Sequence, residues 1–152
     1  MSVVSWSPDG SRIITDDISG TTAHIWDAAT GEELLSLRGH NQWACALAWS
    51  PDSSRVATGS HDDTVRVWDA ATGQTQLVLG AGNSVETVSW SPDGTRLSIG
   101  AKIGGNRVWD AATGEPRLTV DNGARELSEV VWSPDGTRLA TSSYLSPRVL
   151  IL

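Results

Sequence analysis

Trp49-Ser50-Pro51-Asp52 and, nineteen residues later, Trp68-Asp69-Ala70-Ala71-Thr72-Gly73 are two phrases that the chain keeps repeating. The first recurs at Trp6, Trp90 and Trp132, so successive copies begin 43, 41 and 42 residues apart. The second recurs in step at 26–31 and 109–114. The residues around these phrases alternate. In Ala44-Cys45-Ala46-Leu47-Ala48-Trp49, period-two spacing puts Leu47 and Trp49 on one face of a strand, and the small Ala46 and Ala48 on the other. The small face suits close packing against a neighbouring unit. Ser50-Pro51-Asp52-Ser53 then turns the chain, because proline presets φ and aspartate tolerates turn conformations. Sister turns end in Gly10, Gly94 and Gly136, where a positive φ is cheap. Arg55-Val56-Ala57-Thr58-Gly59 reads as a second strand and Thr64-Val65-Arg66-Val67-Trp68 as a third. Asp69-Ala70-Ala71-Thr72-Gly73 reads as a hairpin loop and Thr75-Gln76-Leu77-Val78-Leu79 as a fourth strand.

Four antiparallel strands joined by short turns form a meander. One such sheet cannot bury both faces alone, whereas units stacked side by side can. A period of 40–45 residues with a Trp-Asp dipeptide in each unit is that of a propeller blade. The fold expected is all-β: four blades of about 42 residues, over 1–38, 39–80, 81–121 and 122–152, with the outer strand of the last missing. With eight tryptophans, one tyrosine and no phenylalanine, tryptophan supplies most of the large apolar mass.

These phrases resemble the WD-repeat β-propeller family along essentially the whole chain. The second unit adds the family's Gly39-His40 dipeptide and the tight-turn Asp62. The resemblance implies a hydrogen-bonded structural tetrad made of His40, Thr58, Asp62 and Trp68. The other units depart from it. The third has Ala81, Ile99, Ile103 and Trp109 at these positions. The fourth has Gly123, Thr141, Leu145 and Leu152. The first keeps Thr15 and Trp26 but has Ser19 or Gly20 where the aspartate is expected. The richness in Ala, Gly and Arg, with the Asp-Ala-Ala-Thr-Gly turn, resembles bacterial members of the family.

Composition excludes several functions. Charged residues are 19% and apolar residues 39%, the balance of a folded chain. Eleven basic residues face eighteen carboxylates for a net charge of −7, and no basic stripe is visible, which disfavours nucleic acid. Cys45 is the single cysteine, so no internal disulfide or multi-cysteine metal site can form. No signal-peptide pattern and no 18-residue apolar run is present, which points to a cytoplasmic protein without membrane association. Enzymatic readings are poor. His40 and Asp62 have structural roles by resemblance, Cys45 sits among alanines as a small core residue, and no serine lies in a Gly-x-Ser-x-Gly elbow. No catalytic residue, metal or cofactor is expected.

The two conserved-looking turns within the chain lie at one end of the blades. The connections at the other end differ widely: 16–22, 60–63, 101–105 and 142–147, with 38–43, 80–84 and 121–126. Diverse loops on a constant scaffold are where recognition is usually placed. The resemblance makes this the partner-binding end and marks Ile18, His61, Lys102 and Tyr144, the residues before the tetrad aspartate position, as contacts. Trp43, His61, Lys102 and Tyr144, with Asn41, Asn83 and Arg125, are therefore the candidate site for a protein partner. The alternative is that they are ordinary loop residues, with Trp43 packing on a neighbouring blade. The expected function is a protein-interaction scaffold or sensor module within a larger seven- or eight-bladed propeller, continued in a longer chain. The alternative is a structural fragment, or a half-propeller that dimerises into an eight-bladed ring without a dedicated partner site.

Overall fold

A computed structural model describes residues 3–17, 20–103, 105–120, 127–143 and 148–151. Among these, every regular element is a strand. The first sheet pairs β1 (Val4–Trp6), β2 (Arg12–Asp16), β3 (Thr22–Asp27) and β4 (Glu33–Arg38) in sequence order. The second pairs β5 (Ala44–Trp49), β6 (Arg55–Ser60), β7 (Thr64–Asp69) and β8 (Thr75–Gly80). The third pairs β9 (Val85–Trp90), β10 (Arg96–Ala101), β11 (Asn106–Asp110) and β12 (Pro116–Val120). The fourth pairs β13 (Leu127–Trp132), β14 (Arg138–Ser143) and β15 (Arg148–Ile151). All pairings are antiparallel meanders, and the repeat holds the register: Trp49 faces Val56, Trp90 faces Leu97 and Trp132 faces Leu139. Strand limits read from the sequence of the second unit fall within one residue of those observed.

Both repeated turns are built by their aspartates. In the second sheet, Ser50 Oγ donates to Asp52 Oδ1 (2.6 Å) and accepts from Arg55 N (2.9 Å), closing the loop from both sides. Ser7–Asp9, Ser91–Asp93 and Ser133–Asp135 repeat the first of these bonds. The serine hydroxyl, helped by a backbone N–H two residues on, holds Asp9, Asp52 and Asp93 at a pKa of about 2 and Asp135 well below the usual range. The turn glycines do take positive φ, and Ser53 adopts φ 61° in the same slot. At the hairpin loop, Asp69 Oδ1 accepts the N–H groups of Ala71 and Thr72, both at 2.9 Å.

The core lies between the sheets. Ile14, Ile25 and Leu37 of the first sheet pack on Trp49, Val56 and Trp68 of the second. Ala57, Val65 and Val67 of the second pack on Val88, Trp90 and Leu97 of the third. Val108 of the third meets Val130 and Leu139 of the fourth. The small face of β5 serves the junction expected of it, since Ala46 and Ala48 both join the cluster shared with the third sheet. Trp49 packs the other way, onto the first sheet.

One polar device repeats at each junction. Arg12 lies over the Trp49 ring (5.0 Å to its centroid) and donates to the carbonyls of Ser53 and Ala70, both at 2.6 Å. Arg55 lies over Trp90 (4.6 Å) and donates to Gly94 O (2.9 Å) and Ala111 O (2.7 Å). Arg96 lies over Trp132 (4.6 Å) and donates to Gly136 O (2.8 Å). In return, the indole N–H of each tryptophan donates backwards: Trp49 to Ser5 O, Trp90 to Ala48 O and Trp132 to Ser89 O, at 3.2–3.3 Å. Each arginine thus combines a cation–π contact with charge-assisted bonds to the next blade's turns.

Candidate functional site

The four residues aligned as a tetrad in the second sheet are in contact. Trp68 Nε1 donates to Thr58 Oγ1 (2.8 Å), and Thr58 Oγ1 lies 2.8 Å from His40 Nε2. His40 Nδ1 lies 2.9 Å from Asp62 Oδ2. A single proton assignment satisfies every member: Nδ1–H donates to the carboxylate, and Nε2 accepts from the threonine hydroxyl. Burial holds the His40 pKa below its usual value even though Asp62 pulls it up, so the ring is neutral. Burial also pushes the Asp62 carboxyl up, but hydrogen bonds from Thr64 Oγ1, His40 and the Asn41 N–H outweigh it and keep the group ionised. Thr64 is a member that the sequence reading missed; its 2.6 Å bond to Asp62 Oδ1 shapes the tight turn.

This network fixes loops rather than offering chemistry. It ties the 38–43 connection, which carries His40 and Asn41, to the 60–63 connection, which carries Asp62. Among the described residues, the first sheet retains the bond from Trp26 Nε1 to Thr15 Oγ1 (3.0 Å). In the third, Ile99 replaces the threonine, and the Trp109 N–H is buried without a hydrogen-bond partner among the described residues. In the fourth, only Thr141 of the aligned positions falls among the described residues, and it is buried.

Beside the network, the loop end carries a row of side chains, extended to the next loop by a backbone hydrogen bond. Trp43 is 36% exposed, with its ring against the backbone of Gly20 in the first sheet's loop. It also meets the His61 ring edge-on, at 5.6 Å between centroids. His61 Nε2 lies 3.9 Å from Glu86 Oε1. Glu86 accepts from Ser84 Oγ (3.5 Å), and Ser84 O accepts from the Lys102 N–H (2.8 Å). Lys102 is exposed, and Ile103 beside it exposes 57% of its surface. Trp43 therefore does pack on a neighbouring blade, yet keeps one side open. Asn41 is exposed at the same loop, and Asn83 is half-buried. Arg125, Tyr144 and Ile18 lie outside the described residues.

The nucleophile and acid–base candidates have other occupations. Cys45 donates its S–H to Val85 O (3.1 Å), and burial, with Glu86 nearby, pushes its pKa up to about 11, so it is a protonated thiol. His24 pairs with Glu33 (2.9 Å) and lies tilted against Trp26. Ile103 and Glu86 were missed by the sequence reading. Ile103 was legible as an apolar residue in the tetrad aspartate's slot, and Glu86 only through the fold.

Comparison with known proteins agrees with the repeat. The family model WD40, described as "WD domain, G-beta repeat", matches residues 31–69, the span that contains the complete network. Coronin-7 of Mus musculus is 39% identical over 59 residues, which cover 39% of this chain and 6% of that protein. WD repeat-containing protein 1 of Gallus gallus is 39% identical over 66 residues, 41% of this chain and 11% of that protein. An uncharacterized WD repeat-containing protein of Nostoc sp. is 52% identical over 40 residues, 26% of this chain and 3% of that protein. The chain thus matches only a small fraction of the length of each of these relatives.

Proposed function

Because the chain is a WD-repeat β-propeller protein, a family of protein-interaction scaffolds, we propose that it binds a protein partner through its loop end. The observation that carries this reading is the row from Trp43 through His61 to Glu86, with exposed Lys102 and Ile103 on the next loop, which a backbone hydrogen bond ties to Ser84. Aromatic and apolar groups there are exposed while their backbones are fixed by the tetrad and by inter-loop hydrogen bonds. A half-open tryptophan on a rigid support is the kind of anchor that dominates interfaces, since little side-chain freedom remains to be lost on binding. Lys102 and Glu86 give the rim both signs of charge, which favours a mixed protein surface over a polyanion. Catalysis is not part of this reading, because Cys45 and His40 are committed to the scaffold. The blades act as one segment of a ring of seven or eight, in the cytoplasm.

The test is affinity capture from the source cells, followed by measured binding of the captured protein to purified variants. Trp43→Ala and Lys102→Ala are expected to weaken it about tenfold or more, the loss typical of an interface anchor. Glu115→Ala, at the opposite end, should leave it unchanged. Equal binding by all three variants would overturn the reading.

A further inference from the structure

The junction between the third and fourth sheets carries polar side chains where its sisters are apolar. Asn106 opens β11 two residues before Val108, so both side chains face the fourth sheet, where Val108 packs on Val130 and Leu139. Asn106 is 0% exposed, out of reach of bulk solvent. Neither its Oδ1 nor its Nδ2 has a hydrogen-bond partner among the described residues. The register shows what it replaces. Asn106 lies opposite Gly100, as Val65 lies opposite Gly59 and Ala23 opposite Asp16. On the other side of Gly100 stands Thr87, where Ala46 stands opposite Gly59. Thr87, Gly100 and Asn106 therefore form one row across three neighbouring strands, with the glycine in the middle. In the second sheet the same row is apolar and tightly filled, since a Cβ on Gly59 would run into Val85 of the third sheet. A Cβ on Gly100 would stand against the Thr87 methyl, 3.4 Å from Asn106 Oδ1 and 3.8 Å from Val130 of the fourth sheet. Among the described residues, the space facing Gly100 is thus looser on the fourth-sheet side and bordered by a carboxamide and a threonine.

From this row we infer that the junction binds an ordered water molecule, held between the Asn106 carboxamide and the Thr87 hydroxyl. The carboxamide brings an NH₂ donor and a carbonyl acceptor to a place where no described protein group answers them. Leaving such a group unpaired in a buried site costs more than immobilising one water does. A buried water is held where polar groups converge, whereas an apolar recess stays dry. The spacing suits a bridge. Neighbouring strands lie about 4.8 Å apart, so the backbones of Thr87 and Asn106, two strands apart, are separated by about 10 Å. Their side chains reach towards each other over Gly100, and one water spans the remainder. Thr87 is partly exposed while Gly100 and Asn106 are buried, so water enters from the Thr87 side. Asn106 follows directly on the 101–105 connection, and the water gives the strand a fixed polar contact where that loop joins it. The same loop presents Lys102 and Ile103, yet the water site does not depend on a partner there.

The experiment is water-selective NOE and ROE spectroscopy on the isotope-labelled 152-residue chain. Its reporters are the Asn106 side-chain amide protons and the Val130 methyl protons. Both are expected to show a contact to water with NOE and ROE of opposite sign, the signature of a water that outlasts the tumbling of the molecule. Asn106→Val, which copies the sister residue Val65, should abolish the Val130 contact with unchanged far-ultraviolet dichroism. Should that variant lose its fold, Asn106→Ala, which copies Ala23, takes its place. Thr87→Val should weaken both contacts severalfold, and Thr87→Ser should keep them. Wild-type spectra without either contact, or a Val130 contact that survives replacement of Asn106 in a folded chain, would overturn the inference. So would contacts indifferent to Thr87→Val, or contacts that vanish entirely in it and therefore report hydroxyl exchange rather than a bound water.

Discussion

Replacing Thr58 by valine keeps the shape of the side chain and removes the oxygen at the centre of the tetrad. Two groups then lose their partners. The Trp68 indole N–H loses its 2.8 Å acceptor, and His40 Nε2 loses its 2.8 Å donor. Both sit in residues that are almost fully buried, so water cannot replace what is lost. A buried polar group left unpaired costs about 1–3 kcal/mol, and the two together about 2–6 kcal/mol. That is a large part of the roughly 5–15 kcal/mol that holds a typical domain together. Urea unfolding followed by tryptophan fluorescence reads this directly. With a slope of about 2 kcal/mol per molar, the midpoint should fall by about 1–3 M. Thr58→Ser, which keeps the hydroxyl and loses one methyl, should cost only about 1 kcal/mol. The reasoning fails if Thr58→Val lies within about 0.5 kcal/mol of wild type, or if the serine variant is the worse of the two.

Further outcomes follow from the same structure. Trp68→Phe and Trp109→Phe remove the same atoms from equivalent slots, but only Trp68 has a hydrogen-bonded N–H, so Trp68→Phe should be the more destabilising by about 1 kcal/mol in matched urea titrations. His40 is held below its usual pKa of about 6.5, so the unfolded chain takes up the proton first as pH falls. Its contribution is therefore complete above about pH 6.5 and is lost as pH drops through the folded value; His40→Gln should flatten the decline in urea midpoint between about pH 7 and 5. Gly59 faces the third sheet, where an added Cβ would run into Val85 and crowd Val88. Gly59→Ala should thus cost about 1–3 kcal/mol by overpacking, visible as a lowered thermal midpoint, and Val85→Ala should recover part of it.

Much of the fold was legible because its signals are local. Alternation, turn residues and the repeated tryptophans all act within one unit, and the strand limits of the second unit fell within one residue of those observed. The tetrad positions were readable for the same reason, since His40, Thr58, Asp62 and Trp68 belong to a single repeat. The arginine device at the junctions was not read, because Arg12 touches Ser53 and Ala70, one repeat away. Its signal was nonetheless present: an arginine stands six residues after the tryptophan of every Trp-Ser-Pro-Asp phrase, at 12, 55, 96 and 138. Nor could the sequence tell whether Trp43 packs or projects. Its ring does both, because the small Gly20 of the adjacent loop accommodates one side and leaves the other open.

The central claim is that recognition belongs to the loop end and scaffolding to the turn end. Amide hydrogen exchange on the chain with and without its captured partner tests this most directly. The account predicts added protection in 39–43, 61–63, 81–86 and 101–103, with none in the turns at 50–54, 69–74 and 110–115. Protection confined to those turns would contradict it.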